Sequence, residues 1–224
     1  MSDLDPATLT GCSRSAIVYS ECCQCDLHCQ VQEPLQQLQQ LALSSGQELK
    51  VASAYRDFDR QLLIWNAKVS GQRPVLDKQG SVLNLSALTD WEIVEAILTW
   101  SALPGASRHH WGTDFDVYNP QLLLNDYQLQ LTRDEYETGV QSSFNNWLSQ
   151  ILSSGETAFY RPFAEDKGGV SPEPWHISYR PLADQFQAAL TIDLLADTIR
   201  DADLQLKGCV LDHLDEIYSR FVLV

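Results

Sequence analysis

The chain has 224 residues, with 30 acidic against 15 basic side chains, a formal net charge of −15 and a pI near 4.5. So acidic a surface argues against nucleic acid and against an anionic membrane as partners, because both attract basic patches. No stretch approaches the ~20 apolar residues of a membrane span, and 44% hydrophobic content over this length supports one globular domain, residues 1–224, with a core that needs no staples.

The start, Met1-Ser2-Asp3-Leu4-Asp5-Pro6, has no basic n-region, apolar h-region or cleavage site, so a cytoplasmic location is expected. Residues 1–30 are cysteine-rich: Cys12, Cys22, Cys23, Cys25 and Cys29 lie there, and only Cys209 lies elsewhere. Cys22 to Cys29 lacks two well-separated ligand pairs, so reduced thiols are the plain reading, with a small metal or redox site as the alternative. Leu35, Leu38, Leu41 and Leu43 recur at roughly helical spacing among glutamines. Residues 49–53 read as a short strand running into Tyr55-Arg56, and Asp57 is placed to cap a helix through Gln61, Leu62, Ile64 and Trp65. Residues 71–88 read as loop.

Thr89 or Asp90 caps the next expected helix, with Ile93, Val94, Ile97 and Leu98 on one face and a stop near Pro104-Gly105. Gly112 permits a sharp turn into a strand, Thr113 to Tyr118. Its alternation puts Asp114, Asp116 and Tyr118 on one side and Thr113, Phe115 and Val117 on the other. A helix follows over 142–152, and then a Gly- and Pro-containing loop over 155–171 that suits the rim of a site. Residues 175–179 form a short strand with His176 and Ser178 on one face, and the chain from about Leu182 is largely helical. Helices and short strands without a βαβ rhythm give an α+β class.

Three stretches carry chemistry. His109 and Asp116 are seven apart across the glycine turn, a loop ligand followed by a strand ligand and not the helical HExxH spacing. His176 comes from the second strand. Two imidazoles and one carboxylate hold zinc with a fourth position open for water, as a catalytic site needs. Glu173, held off by Pro174 in extended backbone, is placed as general base, and Arg56 as the cation that meets an oxyanion. The same ligand types also make the facial triad of non-haem iron oxygenases, but those carry the first His and the carboxylate two residues apart, and here neither His109 nor His110 has an acid at that spacing. His110 is expected to be structural or at the rim, His28 and His213 at the surface or locally structural, and Trp111 and Trp175 to pack around the site. Arg108, Arg161 and Arg180 either form ordinary salt bridges or gather as a positive patch for a peptide carboxylate.

The pattern Ser107-x-His109-x-x-Gly112-x-x-x-Asp116 followed by Glu173-x-x-His176, with Ser53-Ala54-Tyr55-Arg56 through Gln61 upstream, resembles the zinc D-alanyl-D-alanine carboxypeptidases of the LAS group. That group includes VanY- and VanX-type enzymes and shares its fold with the zinc-bearing signalling domain of Hedgehog. The resemblance spans roughly residues 50–181, leaving a helical segment 182–224. It implies a small antiparallel sheet carrying one zinc ion, with flanking helices, and a peptidase that removes or splits D-Ala termini of peptidoglycan peptides. It implies ligands at His109, Asp116 and His176, the base at Glu173, transition-state stabilisation by Arg56, and substrate contacts from Ser107, Tyr55 and Gln61. The family usually has Ala where this chain has Asp114. That carboxylate is expected to orient a ligand imidazole, or else to reshape the pocket.

A cytoplasmic member meets precursor pentapeptides or muropeptide tetrapeptides returned by recycling. Trimming tetrapeptide to tripeptide cuts between the L-centre of a diamino acid and D-Ala, so L,D-carboxypeptidase activity is favoured over D,D-carboxypeptidase activity. A non-catalytic zinc-bearing binding module is the reading from another class, and Glu173 and Arg56 argue against it.

Overall fold

The computed structural model describes residues 4–124 and 126–223. A one-turn helix α1 (Pro6–Leu9), capped by the Asp5 carboxylate, precedes an antiparallel hairpin of β1 (Ile17–Ser20) and β2 (Cys25–His28). There follow α2 (Gln32–Ser44), β3 (Lys50–Ser53), α3 (Phe58–Val69), α4 (Asp90–Leu98) and β4 (Asp114–Tyr118). Then come α5 (Arg133–Glu137), α6 (Ser142–Ser154), β5 (Phe159–Tyr160) and β6 (His176–Tyr179). The chain closes with α7 (Arg180–Ala189), α8 (Ile192–Asp201), α9 (Lys207–Asp212), α10 (Leu214–Ile217) and a π-helical turn, Tyr218–Val222. Among the described residues no helix is long and apolar enough to cross a membrane.

The helix starts follow capping chemistry. The Asp57 side chain accepts from the Arg60 N–H at 2.9 Å and opens α3. Thr89 and Glu92 form a reciprocal capping box at α4. β3, β4, β6 and β5 form one antiparallel sheet in that order, with β4 and β6 central. Its register sets Asp114 opposite Ser178, Phe115 opposite Ile177 and Asp116 opposite His176, while Ser53 of β3 lies on the other side of Asp116.

One face of the sheet sends Phe115, Val117 and Ile177, all fully buried, against α2 and α6. A second apolar cluster gathers α3, α4 and α7–α10 around Trp65, Ile97, Leu98, Phe186 and Ile217. A slip of one residue in β4 or β6 would exchange those apolar side chains for the polar ones between them. Each large side chain gains roughly 1.5–3 kcal/mol from burial, so hydrophobic packing on one face fixes the positions of Asp114, Asp116 and His176 on the other.

One feature differs from the sequence expectations: the 155–171 loop contains β5. The cysteine-rich segment, for which the sequence predicts no element, contains the β1–β2 hairpin, and the last helical region starts at Arg180, close to the expected position. β5 is two residues long, too short to show a period, and the tight turn at Cys22–Gln24 interrupts the alternation of the hairpin. All six cysteines are free thiols. Among the described residues, the group of three or more His, Cys, Asp or Glu side chains that converges for a metal does not include any of them.

Candidate metal centre and active site

His109 sits in a 3-10 turn, Arg108–Trp111, between α4 and β4. The turn ends at Gly112 with φ +66, and a Cβ there would lie 2.6 Å from the His28 backbone nitrogen, so only glycine fits. The backbone of Arg56 donates to the His109 carbonyl at 3.1 Å, tying the end of β3 to this turn. His109 Nδ1 donates to the Ala54 carbonyl at 2.9 Å, which leaves the Nε2 lone pair free. His176 Nε2 donates to Asp114 Oδ1 at 3.0 Å, which frees Nδ1.

The two free nitrogens flank Asp116: His109 Nε2 is 3.6 Å from Oδ2 and His176 Nδ1 is 3.3 Å from Oδ1. A tetrahedral zinc with ligand bonds of about 2.0–2.1 Å spaces its ligand atoms about 3.3 Å apart. The ligand atoms of all three residues lie within 4.8 Å of one another. Asp116 Oδ1 is buried with no hydrogen-bond donor, as a carboxylate oxygen reserved for a cation would be. Geometry and donor set therefore fit zinc.

Charge at the centre is tuned by burial and by neighbours. Burial lowers the His109 pKa to about 4, so the ring is neutral and able to coordinate. For Asp116, burial works against ionisation, but His109, His176 and Arg56 outweigh it and hold the carboxyl below its usual range. His176 is pulled well above its usual value: burial opposes the charge, but Asp114, Asp116 and Glu173 surround the ring and prevail. So strong a pull on a proton at Nδ1 is equally a pull on a divalent cation there. Glu173 Oε2 lies 3.2 Å from His176 Nδ1 but stands outside the ligand triad, and burial raises its pKa, as suits a proton carrier.

Asp114 is fully buried and accepts from four groups: His176 Nε2, Arg108 Nε at 2.8 Å, Thr113 Oγ1 at 2.6 Å and Ser178 Oγ at 3.0 Å. Burial works against its charge, but Arg108, His176 and Thr113 hold its pKa far below the usual carboxylate range. Its contact with His176 Nε2 puts it where it can orient that ring. Arg108 in turn reaches Ser178, Tyr160 and Gln187, joining the His109 turn to β6, β5 and α7.

These side chains open onto a cleft of ≈ 780 Å³ lined by Arg56, Ser107, His109, Asp116, Glu173 and His176. Arg56 is held by Gln61 Oε1 at 2.6 Å and Ser53 Oγ at 3.1 Å. Two residues expected to touch substrate do not line the cleft. Gln61 is fully buried and spends its amide on Arg56 and the Ala102 carbonyl, so it positions the guanidinium. Tyr55 turns towards the N-terminal hairpin, where Arg14 lies 5.1 Å over its ring.

His110 is buried between the Arg56 carbonyl and the Gly105 N–H, a structural position. His28 is buried and caps a 3-10 turn through its ring, and His213 stacks on Trp91. Trp111 and Trp175 are packed, 1% and 4% exposed. Arg108, Arg161 and Arg180 form no patch: Arg161 is spent on Pro174, Ser149 and Asn145, and Arg180 lies over the Tyr160 ring. Besides Arg56 and Arg108, the cleft is lined by Lys78 and Arg133, which no local motif marks and which pair with Asp166 and Glu137.

The profile of the VanY family, D-alanyl-D-alanine carboxypeptidase, matches residues 24–182. Two uncharacterized proteins of Haemophilus influenzae are similar. One is 45% identical over 103 residues, covering 45% of this chain and 70% of the relative. The other is 33% identical over 129 residues, covering 56% and 96%. Among solved structures, the Zn(II) complex of a mutant vancomycin-resistance D,D-pentapeptidase VanY superposes with a TM-score of 0.50 at 20% identity, covering 86% of this chain and 87% of that one. The L,D-carboxypeptidase LdcB gives 0.49 at 22% identity, covering 87% and 76%.

Proposed function

This chain belongs to the VanY family of D-alanyl-D-alanine carboxypeptidases, zinc metallocarboxypeptidases of peptidoglycan peptides, and on that footing we propose that it removes the terminal D-Ala of the muropeptide tetrapeptide, an L,D-carboxypeptidase reaction of peptidoglycan recycling in the cytoplasm. The observation that carries the hydrolytic part is the convergence of His109, Asp116 and His176 beside an unligated Glu173 and a tethered Arg56 in one cleft. The L,D preference draws support from the rim. A diamino acid before the scissile bond presents an amine on a long side chain, and a carboxylate too where it is a diamino diacid, whereas the D-Ala of a D,D substrate presents a methyl. Lys78, Arg133, Asp134 and Glu137 line the cleft, Lys78 paired with Asp166 at 2.8 Å and Arg133 with Glu137 at 2.7 Å, and a charged side chain of the substrate can exchange into such pairs. Six free thiols are in keeping with a reducing compartment.

Zinc, when bound, polarises the scissile carbonyl and acidifies the attacking water. Glu173 takes a proton from that water as its oxygen bonds to the carbonyl carbon. It gives the proton to the amide nitrogen as the C–N bond breaks and D-Ala leaves as an amine. Arg56 meets the negative charge that builds on the carbonyl oxygen, and its links to Gln61 and Ser53 fix it there before the reaction. Ser107, 1% exposed beside His109, is in place to steady the peptide backbone. Asp114 keeps the His176 ring in one tautomer throughout.

The test is incubation of the zinc-loaded protein with defined tetrapeptide and pentapeptide muropeptides, with mass detection of released D-Ala. Loss from tetrapeptide in preference to pentapeptide is expected. Preference for pentapeptide would make it a D,D-carboxypeptidase, and no loss from either would reject the hydrolytic reading.

A further inference from the structure

The cleft has one wall that the matched family segment does not supply. Phe221 and Val222, from the π-helical turn after α10, line it together with Leu98, Ala106 and Val170. Both lie well beyond residue 182, where the match ends. They are buried, 8% and 5% exposed, and belong to the same apolar cluster as Leu98 and Ala106. The patch adjoins the reacting groups along the chain: Ala106 precedes Ser107, and Val170 lies three residues before Glu173.

The turn is clamped in place. Arg220 Nε and Nη2 donate to the Gly168 carbonyl at 3.2 and 3.1 Å, and Nη1 pairs with Glu95 of α4 at 2.7 Å and with Glu216. Gly169 packs so closely on the Arg220 carbonyl that a Cβ would collide with it. The Ser171 N–H then donates to the Thr99 carbonyl at 3.0 Å, so the segment leading to Glu173 is pinned between the end of α4 and the C-terminal turn.

We propose that the turn Tyr218–Val222 is a structural wall of the substrate site, and that Phe221 and Val222 set the size of an apolar subsite for the small aliphatic side chain of the amino acid released. The inference rests on the carboxypeptidase reading above. Its chemistry is selective: of the side chains in such a peptide, only the alanine methyl enters a patch of Leu98, Ala106, Val170, Phe221 and Val222 without stripping water from a charge. A change of one methylene in an apolar pocket alters discrimination by about 10–200-fold.

The experiment uses the full chain with zinc and two synthetic peptides that differ only in the C-terminal residue, D-Ala or D-Leu. Wild-type protein, Val222→Ala and Phe221→Ala are compared by kcat/KM, with thermal melting to confirm folding. The expected result is a rise of tenfold or more in the D-Leu to D-Ala ratio for Val222→Ala, and for Phe221→Ala where it folds, with the D-Ala loss chiefly in KM. Val222→Leu, which fills the subsite, is expected to lower D-Ala turnover and to abolish that of D-Leu. An unchanged ratio in folded Val222→Ala, with wild-type protein cleaving the D-Ala peptide, overturns the subsite and leaves the carboxypeptidase reading standing. A wild-type protein that cleaves neither peptide overturns both.

Discussion

Asp114 is the residue on which the geometry of the centre turns, and its removal has two separable costs. Asp114→Ala takes the acceptor from His176 Nε2, so the ring is free to rotate or to carry its proton on the ligand nitrogen. Loss of such an outer partner weakens metal binding about 10–100-fold. The same change strands Arg108, whose guanidinium is 5% exposed and paired to Asp114 at 2.8 Å. Leaving one member of a buried ion pair without the other costs about 3–5 kcal/mol, a large part of the 5–15 kcal/mol that typically holds a domain folded.

The two effects are told apart by a second variant. Arg108→Met with Asp114→Ala removes both charges, so most of the lost stability should return. Zinc affinity should stay reduced, because His176 still lacks its acceptor. The assay is zinc affinity by competition with a chromophoric chelator, beside urea unfolding of the metal-free proteins. Folded Asp114→Ala with wild-type zinc affinity and turnover would refute the orienting role. A double variant that recovers affinity along with stability would show that the metal effect was only loss of fold.

Four further outcomes are expected. Glu173→Ala should keep one zinc per chain by mass spectrometry while turnover falls about 10²–10⁴-fold, if Glu173 is the proposed base, since it stands outside the His109, Asp116 and His176 group. Arg56→Gln should lower kcat about 10²–10³-fold, and Gln61→Ala should lower the same constant by less, because it loosens Arg56 without removing it. Gly112→Ala should lose on the order of 1–3 kcal/mol in thermal unfolding, from a left-handed φ of +66 and the close approach of the His28 backbone. Burial lowers the His110 pKa from 6.5 to about 4. The unfolded chain therefore binds a proton that the folded chain refuses: the contribution is complete above about pH 6.5 and is lost as pH falls towards 4, about 3 kcal/mol in all. Urea unfolding of metal-free protein at pH 7 and pH 4.5 should show this loss, and His110→Gln should show a smaller one.

Much of the centre is legible in sequence because its parts are set by short-range rules. Period-two alternation groups Asp114 with Asp116 in β4 and His176 with Ser178 in β6, and the pairing of the two strands brings all four to one face of the sheet. Gly112 marks the turn that brings His109 back to the strand. Asp57 and Thr89 mark helix starts by capping chemistry that needs three residues to recognise. What escaped is what depends on distant parts of the chain. Gln61 and Tyr55 sit in the same local block as Arg56, yet one turns inward to hold the guanidinium and the other turns towards β1–β2, and nothing within that block separates the two outcomes.

Arg108 shows the same limit from the other side. Its neighbours in sequence give it no partner, and its worth comes from Asp114, Tyr160, Ser178 and Gln187, residues contributed by β4, β5, β6 and α7. The wall of Phe221 and Val222 is more remote still, since it exists only because Arg220 clamps the end of the chain to Gly168 and Glu95. The metal ligands can therefore be assigned from a few residues of pattern, but the space the substrate must fit is built by tertiary packing around them. Substitutions at the ligands should act on whether the enzyme works, and substitutions at Lys78, Arg133, Phe221 and Val222 on which peptide it accepts.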